Sequence, residues 1–336
     1  MPEEIQRKVQ FGLESTIGTP VAATRVATGV LSQPNLNRPF SWSPVRSGTY
    51  LGRRRGTYGR FRPEFSYSEG ASYEDMAWWG QLAFEGGVTG VTDAGTPTPA
   101  YTYTFDPDLT TDSLKSATME FGVNGERVDE VAGVMVDSLS LRIAPDNESE
   151  TAWMMDTGLK SLGPESSSFT AALSLRDVED IQAAGTQIFI DDDPGDIGDT
   201  QKTGWLIDAS LTWTINRHLK AFAEDVNGPS PGKVGRQERT LDAQFTVEFD
   251  NYDEYTDFLS DTPVVRAIRL YREGSIIHTT VRKSITVDMI GYWVSWAGSD
   301  RDGNLTATMQ LQAGLVDSTY GNDSQIVIVN SLATLP

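Results

Sequence analysis

Few residues in this 336-residue chain are of the types that carry catalysis or hold a metal. It has two histidines, His218 and His278, and no cysteine. A thiolate nucleophile, a disulfide framework and a zinc–thiolate centre are therefore excluded by composition. A Ser-His-acid triad needs its imidazole within hydrogen-bond reach of a hydroxyl and a carboxylate, and the two histidines fall in separate strand-like segments, "NRHLK" and "IIHTT". Paired carboxylates for glycoside hydrolysis give no signal, because 47 Asp and Glu supply every spacing. Two tight Asp clusters, "DDDPGDIGD" (Asp191 to Asp199) and "DRDGN" (Asp300 to Asn304), offer closely spaced oxygens of the kind a hard cation takes. Neither has the closing Glu of an EF-hand loop, and the second reads as an ordinary turn between strands. The expectation is a chain with no catalytic residue, no metal site and no cofactor.

Charge is the stronger signal. Net charge is −20, and only seven of the 27 cations are Lys. Such an acid excess repels nucleic acid in general. Together with scarce Lys it suggests a high-salt, halophilic cytoplasm, where dense carboxylates are screened over a few ångströms. The distribution is uneven. From Ser15 to Pro63 there is no acid, while Arg25, Arg38, Arg46, Arg53, Arg54, Arg55, Arg60 and Arg62 give +8, leaving −28 on the rest. That asymmetry asks for a partner, and the acidic remainder of a neighbouring copy is the nearest one.

The elements that would position these residues come in two sets. "RFRPEFSYSEGASYEDMAWWGQL" (Arg60 to Leu82) and "DAQFTVEFDNYDEYTDFLSD" (Asp242 to Asp261) each begin with alternation suited to a half-buried strand: Phe61, Phe65 and Tyr67, then Phe245, Val247 and Phe249. Each strand hands over to a short helix capped by Ser72 or Asn251, with acids in its first turn. Met76 with Trp79, and Tyr255 with Phe258, would mark its apolar face. Then "ATMEFGVNGERVDEVAGVMVDSLSLRI" (Ala117 to Ile143) parallels "RAIRLYREGSIIHTTVRKSITVDM" (Arg266 to Met289) as strand, turn, strand, with Gly125 and Gly274 at the turns. The first half is longer by about 30 residues, most simply the Gly/Thr/Pro-rich stretch from Gly86 to Ser113. The chain thus reads as a duplicated β-rich protein. A boundary in "GLKSLGPESSS" (Gly158 to Ser168) gives domains 1–163 and 164–336. No basic, apolar leader and no run of membrane-spanning length is seen, so a soluble product made inside a cell, without a membrane, is expected.

The opening "FGLESTIGTPVAATR" (Phe11 to Arg25) resembles that of major tail tube proteins of long-tailed, siphovirus-like phages and archaeal tailed viruses, which often begin Gly-x-Glu-Thr-x-Tyr-Gly-Thr before an extended arm. Gly12, Glu14, Thr16, Gly18 and Thr19 carry the likeness, and Ile17 stands where an aromatic is usual. The order that follows is also similar: long strand, helix ("SYEDMAWWGQLAF"), aromatic strand before Pro ("AYTYTFDPD"), hairpin, then "VDSLSLRI". The resemblance covers most of the first half, with a looser echo in the second.

The resemblance implies a mainly β fold: tail-tube-type β-sandwich or barrel domains, each with a short flanking helix, long loops and an N-terminal arm. It implies a virion protein, assembled in the host cytoplasm, whose rings stack into a tube for double-stranded DNA. Relatives make the ring from six single-domain or three two-domain subunits, and the duplication favours three. Partners would be other copies of itself, tail terminator, baseplate and tape-measure proteins, and DNA that passes without tight binding. An acidic lumen would let the polyanion slide, since Lys and Arg contacts to phosphate bind tightly. Glu64, Glu248 and Asp250 are lumen candidates. Contacts between subunits or rings are expected from Arg38, Arg46, Arg53, Arg54, Arg55, Arg60 and Arg62. Lys233, Arg236 and Arg239, in the equally long and basic connection "NRHLKAFAEDVNGPSPGKVGRQER" (Asn216 to Arg239), join them. Another tail ring component, a terminator or baseplate hub, or a carbohydrate-active β-sandwich protein are the alternatives.

Overall fold

A computed structural model describes residues 7–32, 35–44, 53–107, 111–123, 125–145, 151–192, 194–220, 233–249, 253–301, 303–314 and 321–335. The chain is mainly β, and its sheets are antiparallel. The first half contributes β1 (Arg7–Leu13), β2 (Arg25–Val26), β3 (Val30–Leu31), β4 (Asn35–Asn37), the hairpin β5 (Phe40–Pro44) and β6 (Arg53–Tyr58), β7 (Arg62–Gly70) and helix α1 (Tyr73–Ala83). After these come β8 (Val91–Thr92), β9 (Tyr101–Phe105), β10 (Ala117–Val123), β11 (Val128–Ile143), β12 (Met154–Lys160) and β13 (Glu165–Ser167). The second half follows with β14 (Gln187–Asp191), β15 (Gln201–Lys202), β16 (Leu206–Thr214), the hairpin β17 (Arg217–Lys220) and β18 (Lys233–Arg236), β19 (Thr240–Glu248) and helix α2 (Asp253–Phe258). It closes with β20 (Arg266–His278), β21 (Val281–Arg301), β22 (Asn304–Ala313) and β23 (Ser324–Asn330).

One pairing order recurs. In the first half the strands run β2–β1–β10–β11–β13, and the far end of the long β11 continues into β12–β7–β3/β4. In the second they run β15–β14–β20–β21–β23, and the far end of β21 continues into β22–β19–β16. Even an irregularity repeats: register slips between Val136 and Ser138 where β11 meets β12, and between Trp293 and Ser295 where β21 meets β22. Such bulges bend a long strand, which lets it serve two sheets. The halves are joined by a β11–β16 ladder, Ser138 opposite Thr214 through Ile143 opposite Ala209. The extra segment, Gly86 to Ser113, supplies β8 and β9, and β9 extends the second half's sheet beside β23.

The strands form where alternation predicts them. Along β7, Phe65, Tyr67 and Glu69 are buried while Arg62, Glu64 and Ser66 face outward; along β19, Leu241, Ala243, Phe245 and Val247 are buried. Ser72 caps α1, accepting from the Asp75 amide at 3.0 Å. The helix is nevertheless not a flank: every residue from Tyr73 to Ala83 is buried, Met76 and Trp79 together with Glu74 and Asp75. The acids are tolerated because Lys283 reaches Glu74 at 2.6 Å and Arg25 and Arg176 each reach Asp75 at 3.0 Å. Of α2 only Glu254 is buried, bound to Arg266 at 2.9 Å; its expected cap, Asn251, lies outside the described residues.

One other expectation needs correction. Gly274 is not at the turn of its hairpin: β20 runs on to His278, and Thr279, with φ of +46°, makes the turn. Gly274 is instead a close-approach position, where a Cβ would stand 2.6 Å from the Tyr73 ring and 2.7 Å from a Glu179 oxygen. Strands β11 and β21 are long, running on to Ile143 and Arg301. The stretch Gly158 to Ser168, where a boundary was expected, holds the end of β12 and all of β13.

Candidate functional site

The N-terminal motif builds a clamp. Glu14 is buried, and its carboxylate accepts from the Gly18 and Gly133 amides at 2.8 Å each, from Thr118 Oγ1 at 2.9 Å and from Ser116 Oγ at 2.5 Å. Gly18 can close this turn because its φ is +78°. Gly12 is needed for close approach, since a Cβ there would lie 2.5 Å from the Ala22 carbonyl oxygen. One carboxylate thus fixes the first turn of the chain to β10 and β11.

A second buried acid, Glu69, sits behind the clamp. It accepts from Trp79 Nε1 at 2.7 Å, from Thr28 Oγ1 at 3.2 Å and from the Tyr67 hydroxyl. Burial raises its pKa above the usual carboxylate value, against the pull of Arg25.

The two hairpins project from equivalent places, between β4 and β7 and between β16 and β19. On β5–β6, Phe40, Trp42 and Tyr58 are exposed, the Phe40 ring lying 5.0 Å from Trp42 and 4.7 Å from Tyr58. Arg38 is exposed, donates from Nε to the Gly59 carbonyl at 3.1 Å and lies over the Tyr58 and Phe61 rings. Arg55 and Arg62 are exposed and Arg60 is half-buried; Arg53 and Arg54 lie along β6 with side chains outside the described set, as is all of Arg46. On the second hairpin Lys233 begins β18, its side chain likewise outside the described set. The other two basic candidates there turn inward: Arg239 is almost fully buried in an ion pair with Asp323, and Arg236 lies 3.9 Å from Asp112, which also binds the buried Arg217 at 2.7 Å. Asp112 belongs to the extra segment, so the base of this hairpin is tied to the first half.

The ladder β3/β4–β7–β12–β11–β16–β19–β22–β21 has one buried face and one polar face. Directly opposed residues share a face, and one rung reads Ser68, Asp156, Ser140, Thr212, Asp242, Gln312 and Tyr292 across both halves. The next reads Ser66, Gly158, Ser138, Thr214 and Thr240. Glu64 and Glu248 are exposed on this face, with Asp156, Asp208 and Asp242 beside them; Asp250 lies outside the described residues. Arg142 and Lys160 are its described cations besides Arg62, each near a carboxylate: Arg142 is 3.5 Å from Asp156 and Lys160 is 2.9 Å from Asp137. The surface is hydroxyl- and amide-rich with a modest negative excess. Two depressions on it are lined by Ser32, Glu64, Ser66, Asp137 and Lys160, and by Val30, Ser68, Ser138, Ser140 and Asp156.

His278 meets the Asp93 carboxylate, and His218 stands opposite Gly235 in the β17–β18 hairpin. In the first Asp cluster, Asp191 accepts from the Gly198 and Thr200 amides at 2.8 and 2.9 Å, and Asp192 binds Arg266 at 2.6 Å. In the second, Asp300 accepts from the Gly303 amide at 3.2 Å within the β21–β22 turn. The polar face was missed as a unit in the sequence, because its rungs join residues up to about 240 positions apart; outward Ser and Thr at alternate positions were its signal. No protein-family model matches the chain, and no curated protein matches its sequence.

Proposed function

We propose that this chain is a virion structural protein, the major tail tube subunit of a long-tailed virus, and not an enzyme. Copies assemble into rings, three chains presenting six similar domains, the two halves of the chain being the repeats. The rings stack into a tube that conducts double-stranded DNA. The observation that carries this reading is the polar face: one ladder runs through both halves in the same pairing order, with Ser, Thr and Gln and a slight excess of carboxylates on one side. Such a wall offers phosphate little cationic purchase, so DNA slides. The recurrent strand order supports two equivalent tail-tube-type units, and the exposed aromatic and basic hairpin β5–β6 suits contact between rings. Terminator, baseplate and tape-measure proteins would be its other partners.

Electron microscopy of the purified protein tests the reading. Long tubes are expected. Isolated rings that never lengthen would instead favour a terminator or baseplate role, and monomers that hydrolyse polysaccharide would favour a carbohydrate-active protein.

A further inference from the structure

Strand β11 is bonded along both edges of its second half: β12 on one side and β16 on the other. Its counterpart β21 carries the same bulge and is bonded to β22 in the same way, but from Ser295 to Arg301 its other edge has no ladder partner among the described residues. The converse holds at the chain's opposite end. Strand β16 pairs with both β19 and β11, whereas its counterpart β3/β4 pairs with β7 alone among the described residues. Each unpaired edge is the complement of the other. Val30, 72% exposed, lies on the first of these edges, and Val294, 46% exposed, immediately precedes the second. Open edges of this kind are templates for pairing with another chain.

We infer that the occupant of each edge is a second copy of this chain: β3/β4 of one copy adds to the distal half of β21 of the next, in the register that β16 and β11 adopt within one chain. Superposing the bulges makes Ser295 equivalent to Ser138 and Ser299 to Arg142; superposing the partners of β7 and β19 makes Asn37 equivalent to Thr214 and Ser32 to Ser210. Ser138 opposes Thr214 and Arg142 opposes Ser210. Between copies, therefore, Ser295 opposes Asn37 and Ser299 opposes Ser32. The contact is head-to-tail, so it closes a ring when the rotation closes, and the polar face continues unbroken from copy to copy. This inference rests on the ring-forming reading and adds its joint and register.

Cysteine cross-linking tests it, since the chain has no cysteine of its own. Opposed residues of an antiparallel pair lie about 4.5–5.5 Å apart at Cα, within disulfide reach. S32C and S299C chains, purified separately, mixed and oxidised, should give covalent dimers, and the S32C/S299C double variant should give ladders up to the full ring, both lost on reduction. N37C with S295C should behave alike, which covers the case that one variant misfolds. The out-of-register pair S32C with S295C, about 13 Å apart at four residues' remove, should cross-link at least about tenfold less. Rings or tubes that form without either in-register disulfide would overturn the joint while leaving the assembly standing. Chains that show no particle larger than a monomer by light scattering would overturn both.

Discussion

At the scale of single residues, two buried carboxylates organise the first half by different means. Glu14 holds four donors from three parts of the chain, so Glu14→Ala strands them all and should lower unfolding free energy in urea by at least about 3 kcal/mol. Glu69 acts in the opposite sense at neutral pH. Its pKa is raised in the folded state by burial, so its contribution is fully present below the unfolded value of 4.5 and is lost as pH rises through the higher folded value. Glu69→Gln should therefore match the parent near pH 4.5 and gain melting temperature relative to it as pH rises to 7; a difference flat with pH would contradict this. The motif around Glu14 was legible in the sequence as a resemblance, but its role was not. The donors Ser116, Thr118 and Gly133 lie about 100 residues away, and nothing local announces them. Arg239 misled for the same reason: in sequence it continues a basic stretch, while in space it neutralises Asp323 from another segment.

At the scale of elements, period-two alternation was enough to find β7 and β19, because each has one face in the core and one in solvent, whereas β10 is buried on both faces from Ala117 to Phe121. Turn chemistry was less secure. Gly125 does sit in the β10–β11 turn with φ of +81°, but Gly274 serves close packing against Tyr73 within a strand. A glycine in sequence does not reveal which of its two uses applies. Helix α1 was read as a flank with one apolar face, and its acidic first turn hid the fact that it is buried all round. Trp78→Ala in this helix should cost about 3–5 kcal/mol in urea denaturation. The hairpin β5–β6 predicts the reverse pattern. Replacing Arg53, Arg54 and Arg55 together with Ser should leave the melting temperature within about 2 °C, yet stop tubes from growing in micrographs. Tubes of normal length from that variant would remove the hairpin from the stacking contact.

For the whole molecule, three local matches suggested a repeat, and one strand-pairing order recurs in the two halves, including the bulges of β11 and β21. What could not be read was the joining of the halves. The ladder β11–β16 and the addition of β9 to β23 link positions far apart in sequence, and neither leaves a periodic trace. The first of these joints makes the chain present a single polar face, and that face is what the tube reading rests on. A three-chain ring is the claim that most directly couples the duplication to function, and the number of chains per ring is its measurement. Native mass spectrometry of isolated rings, with symmetry read from electron microscopy of the same sample, should give three copies of the 36.8 kDa chain and six similar lobes around one channel. Rings of six copies, or a chain that stays monomeric at every concentration and salt, would contradict the account.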